Sequence, residues 1–106
     1  WAAWGFLNGI LFMLSPGSAG KAWGAQSLTE MEAVITSGFG AHMLCYSSLG
    51  MALALGHSPA KAVGYAQIPH ALFLVDQLLL RKTALKLGAN AAATCVFFAV
   101  TLAAIA

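Results

Sequence analysis

Two long apolar runs, residues 33–55 and 60–80, are joined by Gly56-His57-Ser58-Pro59, and this pairing constrains the chain more than any other feature. Each run lasts about 20 residues, the length at which a helix crosses a bilayer. Gly56 stops a helix, and Ser58 followed by Pro59 restarts one, Ser as N-cap and Pro in the first helical position. Each run holds one histidine near its middle, His42 in the first and His70 in the second. Counted outward from the turn, the two imidazoles sit within roughly 5 Å of the same depth at 1.5 Å per residue. On neighbouring antiparallel helices both would therefore lie near the membrane midplane.

Composition decides which solvent this hairpin expects. The chain has 106 residues, 60% hydrophobic and 8% charged, and its mean hydropathy is +0.83. Residues 1–106 form a single domain. So little charge on so small a domain predicts an all-α integral membrane bundle of four transmembrane helices, the first partial or truncated. The formal net charge of +2 is dispersed, with no basic stripe, which excludes nucleic acid as a partner. Cys45 and Cys95 lie in apolar helical stretches without CxxC spacing and read as small buried hydrophobes. The chain begins at Trp1 rather than Met, which fits removal of a targeting segment or a start further upstream.

In chain order, residues 1–14 form a first helix too short to span, with Trp1 and Trp4 suited to an interface or a pigment. Ser15-Pro16-Gly17-Ser18 ends it. Residues 19–26 make the longest connection, anchored by Trp23. Ser27–Glu30 and Thr29–Glu32 both fit a capping box for the second helix, which casts Glu30 and Glu32 as capping groups rather than catalytic acids. Three rows of that helix carry small residues: Ser37, Ala41 and Cys45; Gly38, His42 and Tyr46; Ser48, Ala52 and Gly56. Rows of this kind permit close helix contact, and His42 is expected to face protein.

In the third helix Pro69 removes a backbone hydrogen bond and frees the Tyr65 carbonyl, predicting a kink. Gln67, His70, Leu74 and Gln77 fall on one stripe, whose polar members need protein, a cofactor or water opposite them. Asp76 pairs with Arg81 or Lys82. A charged turn, Arg81, Lys82 and Lys86, precedes a last helix over 84–106, with a small face of Gly88, Ala89, Asn90, Ala92 and Ala93. Lys21, Arg81, Lys82 and Lys86 place the first and third loops on the cytoplasmic, matrix or stromal side, opposite residues 56–59.

The pattern Leu7…Leu14-Ser15-Pro16…Lys21-Ala22-Trp23-Gly24, followed by a Gly-rich helix, a Ser-Pro turn and two more helices, resembles the DoxX-like class of small four-helix membrane proteins. That resemblance implies a four-helix bundle and no particular activity.

No nucleophile–base arrangement, phosphate loop, HExxH or Cys-rich zinc pattern occurs, so an enzyme is not expected. His42 and His70 are the candidate cofactor and metal ligands, because neutral imidazole is the commonest protein metal ligand. Chlorophyll magnesium needs one axial ligand per molecule; haem between the pair needs more space than small-residue rows leave and is the weaker reading. Gln67 and Asn8 are further candidate cofactor-binding residues. The structural alternative is that each histidine hydrogen-bonds within the bundle. These readings converge on a non-catalytic subunit of a larger membrane complex, in contact with other membrane subunits, lipids and pigments and with no soluble substrate. A photosystem I or antenna assembly in the thylakoid is the first expectation, and a mitochondrial inner-membrane respiratory complex the second. A free-standing DoxX-like protein or small transporter is the third.

Overall fold

The structure, a computed structural model, describes the backbone of residues 2–81 and 87–106, and side chains through 81 and from 92 onward. Trp1, Lys82, Lys86 and the small residues Gly88, Ala89 and Asn90 lie outside the residues whose side chains are described.

The chain is all-α: α1 (Ala2–Leu14), α2 (Pro16–Ala22), α3 (Glu30–Ala54), α4 (Pro59–Val75), a π-helical turn (Asp76–Leu80) and α5 (Leu87–Ile105). Local chemistry sets most of the boundaries. Pro16 occupies the start of α2, so it restarts a helix at once instead of only ending α1. Of the two capping boxes, Thr29–Glu32 forms: the Glu32 amide donates to Thr29 Oγ1 at 3.2 Å and the Thr29 amide to Glu32 Oε2 at 2.7 Å. The same bonds, the backbone one foremost, hold the Glu32 carboxyl below its ordinary range. Gly56 adopts a φ of +82°, favoured only by glycine, and lets α3 turn into Ser58, whose hydroxyl accepts from the Lys61 amide. Pro69 sits inside α4 without ending it. Helical winding changes six residues later, where the Arg81 amide donates to the Asp76 carbonyl at 2.7 Å, an i to i+5 bond.

Among the described residues no helix is long and apolar enough to cross a membrane, and this overturns two expectations. The first is the integral membrane bundle of four transmembrane helices; the second is the organellar membrane location, thylakoid or mitochondrial inner membrane. The physical reasons lie in the elements. α1 has 13 residues, about two thirds of the length required. α3 has 25, but His42, Ser37, Ser47, Ser48 and three glycines dilute its apolarity. The run over 60–80 is α-helical only to Val75 and carries Lys61, Gln67, His70, Asp76 and Gln77. The assignment of loops to opposite membrane sides falls with it, as does the membrane setting of the photosystem and respiratory-complex readings.

The enclosed bundle is corrected as well. The main seams join α1 to α3, α3 to α4 and α4 to α5. The molecule measures 43 × 34 × 15 Å. Four helices abreast at spacings of 8–10 Å span roughly 30 Å, so the width is that of a single layer rather than of two stacked pairs. Each neighbouring pair is antiparallel: Gly5 lies against Ser47 and Gly40 against Gly9 and Met13, while Gly38 meets Phe73 and Gly64 meets Ala104. The apolar core is small, consisting of Met13, Val34, Ala41, Leu44, Phe73 and Leu74. On α3 the buried stripe is Ser37, Gly40, Ala41, Leu44 and Ser47. The expected rows divide differently, with Tyr46 and Gly56 exposed and Ser37, Ala41 and Ala52 buried.

Candidate functional site

The antiparallel register of α3 and α4 makes the histidine pair. With Ser37 opposite Gln77 and Gly38 against Phe73, His42 falls opposite His70. Their ring centres are 5.0 Å apart and nearly perpendicular, at 82°. His70 is held in plane by Phe97 of α5, at 4.3 Å and 31°, and flanked by Phe73 at 6.0 Å. His42 is exposed, contrary to the expectation that it faces protein only, and His70 is half-buried.

The two rings differ in hydrogen bonding. His42 Nδ1 donates to the Gly38 carbonyl at 3.0 Å, one turn back on its own helix. That tautomer leaves the lone pair on Nε2, the arrangement by which a backbone carbonyl prepares an imidazole as a ligand. Neither ring nitrogen of His70 has a hydrogen-bond partner among the described residues. Burial, and secondarily the neighbouring His42, push the His70 imidazole below its ordinary range, so it favours the neutral form.

A cavity of about 240 Å³ adjoins the pair, lined also by Cys45, Gln67, Tyr46 and Phe97. The structure thus brings His42, His70 and Gln67 together. Asn8 is elsewhere: its side-chain amide donates to the Trp4 carbonyl at 3.0 Å within α1. Cys45, one turn after His42, was not singled out by its sequence context, although its three-residue spacing places it beside the histidine. Burial raises its thiol pKa, partly offset by the backbone of His70. The rings lie against each other, so a macrocycle such as chlorophyll or haem could be held only from a side facing away from the partner ring. No group of three or more His, Cys, Asp or Glu among the described residues converges on a metal position.

Two other features attract attention and differ from the pair. A larger apolar cavity of about 410 Å³ lies near the α3–α4 turn, lined by Phe6, Met51, Leu55, His57, Tyr65 and Pro69. At the other end, Gln77 is the largest fully buried side chain, 1% exposed. Its amide donates to Ser37 Oγ and to Asp76 Oδ2, both at 3.3 Å, and Ser37 Oγ donates to the Met13 carbonyl at 2.6 Å. Arg81 pairs with Asp76 at 2.9 Å and donates to the Leu14 carbonyl at 3.1 Å. The Asp76–Arg81 pairing was expected. The connection through Gln77 and Ser37 to α1 was not, because no sequence pattern marks a tie over 40 residues.

Comparison with protein-family models, with curated proteins and with solved structures finds no match. The resemblance to DoxX-like proteins therefore rests on its sequence pattern alone.

Proposed function

We propose that the protein is a non-catalytic subunit of a larger assembly, buried there against apolar helices of partner chains. The observation that carries this reading is an inverted distribution of side-chain size. α1 turns Gly5, Gly9 and Met13 inward and leaves Trp4, Leu7, Leu11 and Leu14 exposed along a single stripe. α3 leaves Met31, Ile35, Phe39 and Tyr46 exposed, also on one stripe, and α5 leaves Val96, Phe98, Val100 and Leu102. Leu7, Trp23, Leu55, Tyr46 and Leu80 are between 71% and 74% exposed.

Magnitudes favour a partner. Burying a large apolar side chain completely contributes about 1.5–3 kcal/mol, so the α1 stripe, whose four side chains are 38–72% exposed, forgoes roughly 3–6 kcal/mol, a large fraction of the stability of a small domain. A layer one helix deep has nothing of its own to place on these stripes, and layers are normally covered by a second one. Exposed apolar surface of this extent marks an interaction surface.

Photo-reactive residues placed at Leu7, Leu11, Phe39 and Tyr46 in the native setting test the reading. Positions on one stripe are expected to give adducts with the same partner chain, and exposed Ser18 and Gln26 none. Adducts with lipid alone, or a purified monomer whose stripes stay freely labelled, would reject it.

A further inference from the structure

We propose that His42 and His70 together form a binding site for a single divalent transition-metal ion of the Zn²⁺ type, with water filling the positions the protein leaves open. This site is independent of the packing role above, since the exposed stripes and the histidine pair are separate observations.

Distance is the first argument. A tetrahedral ion sits about 2.0–2.1 Å from each imidazole nitrogen, hence about 3.2 Å from each ring centre, and holds two ring centres about 5 Å apart. The observed separation is 5.0 Å. A linear two-coordinate ion, such as Cu⁺, would need ring centres about 6.4 Å apart by the same lengths. The spacing, which is also that of ordinary edge-to-face ring packing, thus fits an angular, tetrahedral centre and not a linear one.

Protonation and preorganisation are the second. The carbonyl of Gly38 fixes the His42 tautomer through Nδ1 and leaves Nε2 as the donor atom. Phe97 and Phe73 restrict the His70 ring, whose nitrogens have no hydrogen-bond partner among the described residues.

The ligand set is two nitrogens from the protein. Exposed His42 leaves one side of the ion open to water, and the Gln67 amide in the adjoining cavity is placed to hydrogen-bond such a water. Cys45 also lines the adjoining cavity, and the set proposed here is of nitrogen donors alone. Imidazole with water suits Zn²⁺, Co²⁺ and Ni²⁺.

The test is titration of the full chain with Zn²⁺ by calorimetry near pH 7.5, paired with Co²⁺ absorption to report coordination geometry. One saturable equivalent is expected, with the intense visible band of tetrahedral Co²⁺. H42Q is the decisive variant, because the exposed position tolerates it. It should weaken binding by about tenfold or more while helix content by circular dichroism stays as in the parent chain. H70Q should do the same where it folds. H57Q and C45S should bind as the parent does. Absence of a saturable equivalent, an octahedral Co²⁺ spectrum, parent-like binding by folded H42Q, or loss of binding in H57Q or C45S would each overturn the proposal.

Discussion

The seams on the two sides of α3 are built on opposite plans. Toward α1, backbone meets backbone: Gly40 lies against the Met13 amide nitrogen and within 2.7 Å of the Gly9 carbonyl oxygen, measured from the Cβ it lacks. Toward α4, side chains meet: His42 on His70, Gly38 under Phe73, and an adjoining cavity of about 240 Å³. The first seam is closed around Gly40, and its open volume, about 330 Å³ near Gly5 and Ser47, lies toward the other end of the helix pair. The second keeps polar rings and open volume between its helices, which is what a ligand needs. One helix can thus serve as a rigid wall on one side and as half of a site on the other, by placing glycine at one set of positions and histidine at the next.

The largest effect should come from closing off the tight seam. Gly40→Ala puts a methyl group into backbone atoms of α1 that cannot rotate away, and should cost about 3 kcal/mol or more. Chemical denaturation would show it; a change below about 1 kcal/mol would mean that α1 shifts freely on α3.

Gln77→Ala comes next. It removes a fully buried side chain and its bonds to Ser37 and Asp76, leaving Ser37 tied to Met13 alone. A loss of about 2–3 kcal/mol is expected from the cavity and the lost bonds. A loss confined to the α3–α4 seam, with α1 amides still protected from hydrogen exchange, would separate the two seams.

The looser seam should respond to acid. The His70 imidazole is pushed below its ordinary value of 6.5, by burial first and by His42 second. The unfolded chain therefore takes up this proton before the folded one does. Stability from this group is fully present above about pH 6.5 and is lost as pH falls below it, until the folded form protonates too. His70→Phe should flatten that part of the stability curve. An unchanged slope would show that another group titrates.

The smallest effect belongs outside both seams. Gly50 lies in α3 with nothing within 4 Å of a Cβ built there. Gly50→Ala should stabilise by about 0.4–1 kcal/mol through helix propensity and the unfolded chain. Thermal unfolding would detect it, and destabilisation would place a neighbour at that position.

What was legible in the sequence was local. The Thr29–Glu32 box and the Ser58-Pro59 start need only residues within one turn, and both formed. The shared depth of His42 and His70 was legible too, because a short turn between two helices fixes their register, whereas the contact between their rings was not. Less legible were properties set over distance. Apolar length was counted without knowing that α-helical winding stops at Val75, so the span was overestimated. The choice of Gly40 rather than Gly38 as the closest approach to another helix's backbone depends on where α1 sits, and the 2–14 segment carries no signal for that. The Gln77–Ser37 bond needs a register known only after α3 and α4 have packed.

The π turn over Asp76–Leu80 has a meaning beyond its hydrogen bonds. One residue added to an α-helix rotates everything after it by about 100°, and a π turn is how a helix absorbs such an insertion while staying continuous. Here the rotation takes place between His70, which faces α3, and Arg81, which reaches back to the end of α1. Deleting a single residue from 78–80 would restore uniform winding and swing Arg81 away from Leu14, with His70 left in place. The chain thus carries a rotational joint that could be tuned in steps of one codon, upstream geometry held constant.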